Sequence, residues 1–83
     1  IKDNVVIHTS TVVEHNSLIE KDSYLGPSAV ICGNSKVGKK CLVGANSCII
    51  ENITLPNNSI LGASALLNKN YKKERTYMGI PAK

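Results

Sequence analysis

Two histidines, His8 and His15, are the side chains of this 83-residue chain best suited to exchange a proton near neutral pH. A neutral imidazole can act as general base toward a hydroxyl or an amine. The two lie seven residues apart, and a catalytic or structural metal site wants three or four ligands, so no metal is expected. Cys32, Cys41 and Cys48 contain no CxxC pair that would complete such a set. No Ser-His-Asp order is present to activate a nucleophile. The chemistry left open is proton abstraction by a single imidazole, with an ordinary surface histidine as the bland alternative.

The positioning of these imidazoles depends on a repeat. Ile1, Ile7, Val13, Ile19, Leu25, Ile31, Val37, Val43, Ile49, Leu55, Leu61 and Leu67 recur every six residues without a gap. That period fits neither a helix at 3.6 nor a strand at 2, so it belongs to a larger repeating unit. One inward side chain per six residues describes a coil with three flat faces, 18 residues to a turn and four turns over residues 1–72. Counting the aliphatic slot as position one, position four is Asn or Asp in eight of twelve units, the residues that best tolerate left-handed backbone. Position five is small in ten of twelve, as a narrow inner corner requires. Asn16, Asn34, Asn52 and Asn70 are spaced by 18 and are expected to stack along one edge with amides bonded up the column. The register breaks at Lys73, and residues 73–83 are expected to cap the solenoid. In this frame His15 stands at position three beside the Asn16 turn, with Gly33 one coil above it.

Composition narrows the function classes. Phe and Trp are absent, which a file of small aliphatics tolerates and a globular core of this size would not. The net charge is +4, with Lys69, Lys72, Lys73, Arg75 and Lys83 crowding the last third. These suit either solvent or a phosphorylated small molecule. Nucleic acid is disfavoured because no aromatics alternate with the basic residues. No signal peptide or membrane span is visible. The three cysteines fall in different 18-residue ladders, are expected not to stack on one another, and read as reduced small hydrophobes of a cytoplasmic protein. The chain begins in register at Ile1 without Met and reads as part of a longer polypeptide.

The repeated [LIV]-[GAED]-x-x-[STAV]-x pattern resembles the hexapeptide-repeat acyltransferase superfamily. The resemblance implies an all-β fold, a left-handed parallel β-helix, against the usual hand of parallel crossovers. Val13-Glu14-His15 and the terminal Gly79-Ile80-Pro81-Ala82-Lys83 are similar to motifs of bacterial sialic acid and nucleotide-amino-sugar acetyltransferases. That resemblance implies acetyl transfer from acetyl-CoA, a cosubstrate rather than a tightly bound cofactor, to a hydroxyl or amino group of a sugar or nucleotide-sugar. His15 would accept the acceptor's proton, and the Gly33 main-chain N–H would hold the thioester oxygen. Asn16 stands where the family carries an acidic residue, and Tyr24 where a second histidine touches acetyl-CoA. His8 takes a place near the acceptor. Ala45 and Ala63 would follow the pantetheine arm, and Gly79, Pro81 and Lys83 the adenine end, with Lys83 or Lys72 near phosphate. A homotrimer with its site between subunits is implied.

Other readings of the same fold remain. A metal hydratase of the gamma-class carbonic anhydrase type needs three histidines on zinc, which this chain does not supply. A non-catalytic scaffold or regulatory domain of a longer protein stays open. An ice-binding prism fails because Thr9, Thr11, Thr54 and Thr76 do not stack at 18.

Overall fold

The computed structural model describes residues 1–83. Twelve strands of two residues each follow one another: β1 (Val6–Ile7), β2 (Val12–Val13), β3 (Leu18–Ile19), β4 (Tyr24–Leu25), β5 (Val30–Ile31), β6 (Lys36–Val37), β7 (Leu42–Val43), β8 (Cys48–Ile49), β9 (Thr54–Leu55), β10 (Ile60–Leu61), β11 (Leu66–Leu67) and β12 (Thr76–Tyr77). They pair in parallel as three sheets, β1-β4-β7-β10-β12, β2-β5-β8-β11 and β3-β6-β9. Partners are 18 residues apart, as in Val6↔Tyr24 and Val12↔Val30. The architecture is the all-β parallel solenoid expected from the repeat and agrees with a left-handed β-helix.

Two local requirements explain why this sequence closes into a triangle. Each face ends in a corner that needs positive φ, and eleven position-four residues from Asn4 to Ser64 adopt φ between 54° and 63°. Inside the corner, position-five hydroxyls donate to carbonyls of the coil above, which helps to satisfy polar groups next to the core. Ser17 Oγ donates to the Cys32 carbonyl at 2.7 Å, Ser23 Oγ to Gly38 at 2.7 Å and Thr11 Oγ1 to Gly26 at 2.9 Å. Cys41 repeats this with sulfur, its thiol donating to the Pro56 carbonyl at 2.9 Å.

The aliphatic file is fully buried from Ile19 to Leu67. Its first slots are not: Ile1 is 66 % exposed and forms no strand, and Ile7 is 39 % exposed. An inward residue is covered only when a coil lies on each side, and the lowest rung has none beneath it. The upper end is closed. There β12 joins β10 in a register of 16, Leu61↔Tyr77, so the Tyr77 ring takes the inward slot above Leu61 and is fully buried. Tyr71 stacks on it at 4.7 Å between centroids and donates its hydroxyl to the Ala82 carbonyl at 3.0 Å.

The shortened last coil corrects two expectations. Asn70 leaves the asparagine column and instead accepts from Thr54 N–H at 2.7 Å, without a left-handed φ. Below it the column is joined through main chain rather than side-chain amides, with Asn34 N–H donating to the His15 carbonyl at 3.1 Å and Asn52 N–H to that of Gly33 at 3.2 Å. A side-chain rung forms on a different edge, where Asn4 Nδ2 donates to Asp22 Oδ1 at 3.2 Å.

Candidate functional site

Three edges run the length of the prism, and each has its own chemistry. The first carries the turns at 3–4, 21–22, 39–40 and 57–58 and is charged. The second carries those at 9–10, 27–28, 45–46 and 63–64, where small uncharged residues prevail. The third carries those at 15–16, 33–34 and 51–52. His15 and Asn16 form the lowest turn of this third edge, both exposed, with Gly33 buried one coil above.

The His15 imidazole lies directly against Gly33. A β-carbon built on Gly33 would stand 2.9 Å from Cε1 and 3.3 Å from each ring nitrogen, so any other residue would displace the ring. The Gly33 N–H donates to no acceptor within the chain. An exposed imidazole and a main-chain N–H without an acceptor in the chain thus stand on adjoining coils of one edge, a combination able to supply a base for a proton and a dipole for a carbonyl oxygen. The corner geometry leaves the N–H at position three outside the coil-to-coil ladder generally; the imidazole is what distinguishes this corner. Asn16, at φ 57°, shapes the turn, and neither it nor Glu14 hydrogen-bonds the ring.

The other sequence-derived residues fall in separate places. His8 packs on Tyr24, ring centroids 5.0 Å apart and tilted by 59°, on the outer face of the β1-β4-β7-β10-β12 sheet. Ala45 and Ala63 are neighbours on the second edge, linked by Ser64 N–H to the Ala45 carbonyl at 2.8 Å. Pro81 and Lys83 are exposed in the final loop, which Lys83 N–H ties back to the Met78 carbonyl at 3.1 Å. One chain therefore brings together His15 with Gly33, His8 with Tyr24, and Ala45 with Ala63, but not these pairs with each other. The recess on the molecule lies elsewhere, among Lys2, Asp3, Glu20, Lys21 and Lys39 on the first edge, and touches none of them.

The cysteines hold one feature that ladder counting misses. The Cys32 and Cys48 thiols are close enough to influence each other although their ladders differ, because Cys48 pairs with Val30, two residues from Cys32 on the same sheet face. Burial, then the Cys48 thiol, then Glu14 and Glu51, push the Cys32 thiol up to about 11. Burial also raises that of Cys41. All three are free. No helix is long and apolar enough to cross a membrane, and no group of three or more His, Cys, Asp or Glu is placed to hold a metal ion.

No protein-family model and no curated protein matches the sequence. Solved structures do match in fold. A hexapeptide transferase family protein from Anaplasma phagocytophilum superposes with a TM-score of 0.83 at 24 % identity, over 98 % of this chain and 50 % of its own. A mutant perosamine N-acetyltransferase from Caulobacter crescentus, in complex with CoA and GDP-perosamine, gives 0.71 at 21 % identity, over 95 % of this chain and 55 % of its own. A mutant N-acyltransferase from Bacillus cereus, in complex with dTDP and coenzyme A, gives 0.59 at 13 % identity, over 98 % of this chain and 79 % of its own. The chain thus has the fold of the hexapeptide transferases and spans about half the length of the first two.

Proposed function

We propose that this chain is the β-helical part of an acetyl-CoA-dependent acetyltransferase acting on a hydroxyl or amino group of a sugar or nucleotide-sugar. The observation that carries the reading is the contact between His15 and Gly33. Neutral His15 takes the acceptor's proton as oxygen or nitrogen attacks the thioester carbonyl. The Gly33 N–H stabilises the oxyanion, and collapse of the tetrahedral intermediate expels the CoA thiolate. No acyl-enzyme forms. The complexes of structural neighbours with CoA and GDP-perosamine support a CoA donor and a nucleotide-sugar acceptor.

The separation of the site's parts supports assembly as a homotrimer. With threefold packing, the second edge of one copy, carrying Ala45 and Ala63, faces the third edge of the next, carrying His15. Tyr24 then reaches the donor across the interface, His8 lies near the acceptor, and Pro81 and Lys83 lie toward the adenine end. Asn16 holds the turn that presents His15. Free thiols fit a reducing compartment, the cytoplasm.

The test uses the full-length protein. Calorimetric titration should detect acetyl-CoA binding, and His15→Ala should keep that affinity while turnover falls by about 10²–10⁴. An equal loss from His8→Ala alone would move the base to His8. Light scattering that reports a stable monomer would remove the intersubunit site.

A further inference from the structure

Charge is distributed unevenly along the prism axis, because height in a solenoid follows residue number. Residues 1–35, the lower coils, carry four carboxylates and two lysines. Residues 36–83 carry eight cations and two carboxylates. The upper end concentrates this: Lys69, Lys72, Lys73, Arg75 and Lys83 are all exposed, and none lies in an ion pair, Lys36–Glu20 at 3.7 Å being the one pair in the molecule. Glu74 is the single carboxylate side chain among residues 69–83 and accepts from Asn58. Beside these cations Met78 and Ile80 are 64 % and 74 % exposed, the latter the most exposed large apolar side chain of the chain.

We propose that this upper end of the prism, residues 69–83, docks on an anionic lipid bilayer surface. Cations flanking exposed aliphatic side chains match the two layers of such a surface, anionic headgroups and the acyl boundary beneath them. The axial asymmetry sets the orientation. The acidic lower coils are repelled by the surface that attracts the upper end, so the prism stands on end. Nucleic acid fits less well. The aromatics nearest the cations, Tyr71 and Tyr77, are stacked on each other inside the cap rather than offered to bases, and Arg75 already lies over Tyr77 at 5.2 Å. The proposal does not depend on the acyl-transfer reading, and the cations substituted in its test, Lys69 and Lys73, are not among those assigned to the donor.

The experiment is cosedimentation of the full-length protein with phosphatidylglycerol-containing vesicles and with pure phosphatidylcholine vesicles. Binding is expected to the first alone and to fade as salt shortens the screening length. Lys69→Gln with Lys73→Gln should lower partitioning by about fivefold per cation removed. Lys2→Gln with Lys21→Gln, at the opposite end, should leave it unchanged. Met78→Ser with Ile80→Ser should weaken binding while keeping its salt slope. Acetyl-CoA affinity and circular dichroism should be the same for the Lys69/Lys73 variant and the parent, which separates docking from the donor site and from folding. Equal binding to neutral vesicles, no binding to anionic ones at low salt, or an equal loss from the Lys2/Lys21 pair would overturn the proposal. So would tighter binding to a single-stranded oligonucleotide that ignores Met78 and Ile80, which would assign the surface to nucleic acid.

Discussion

The His15 ring occupies the space a side chain on Gly33 would need, with Cε1 2.9 Å from the position of a β-carbon there. Gly33→Ala should therefore swing the ring off its corner without moving main chain, because the obstacle is an exposed side chain. Turnover should fall on the order of 10²-fold, as for other ångström-scale misplacements of a reacting group, while Tm changes little. Gly44→Ala is the contrasting case. Its β-carbon would stand 2.5 Å from the Ala63 main-chain nitrogen, so the coil above must shift. Overpacking of this kind costs about 1–3 kcal/mol, and thermal melts of the two variants should separate clearly.

Asn16→Asp should keep the fold, since Asp tolerates the left-handed φ of 57° nearly as well as Asn. A carboxylate beside the imidazole favours its charged form. The acid limb of the kcat/KM profile should consequently move to higher pH, with only a modest change in maximal rate. A superimposable profile would show that residue 16 shapes the turn and nothing else.

Ile31→Asp or Val43→Asp should unfold the chain. Both positions are fully buried on the axis, where a carboxylate finds neither water nor a partner. Loss of the far-ultraviolet strand signal at room temperature is the expected readout, and a melt like that of the parent would contradict the register.

Cys32 links stability to alkaline pH. Its thiol is pushed from 9.0 to about 11 in the folded chain, so between those values the unfolded chain loses a proton that the folded chain keeps. Its contribution is therefore fully present below about 9 and falls as pH rises toward 11. To isolate this thiol from every other effect of alkali, the measurement is the difference in Tm between the parent and Cys32→Ala at each pH. That difference should shrink above pH 9.

The fold was legible because a six-residue period states its geometry directly: aliphatic slot, turn and small corner each occupy a fixed position. The ends were not legible. Ile1 obeys the pattern yet is exposed, because burial depends on a neighbouring coil that the pattern cannot report. Tyr77 lies outside the repeat yet fills an inward slot, because two residues are dropped between Leu61 and its partner strand. Ile80 lies within the terminal motif and Met78 just before it, but only the folded cap shows that both side chains are exposed. In the candidate site, stacking at 18 placed Gly33 over His15 from the sequence alone. The Cys32–Cys48 contact escaped the same counting because it runs diagonally between rungs.

The uniform step of 18 residues below β10 turns residue number into an angle. Inserting one whole coil between His15 and Tyr77 would lengthen the prism and leave the terminal loop on the same compass bearing. Inserting a single hexapeptide would rotate that loop by a third of a revolution relative to His15, although every local contact in the repeat could be kept. The bearing of residues 78–83 around the axis is thus encoded as a count, which makes the chain sensitive to indels in a way that substitution scanning would never expose.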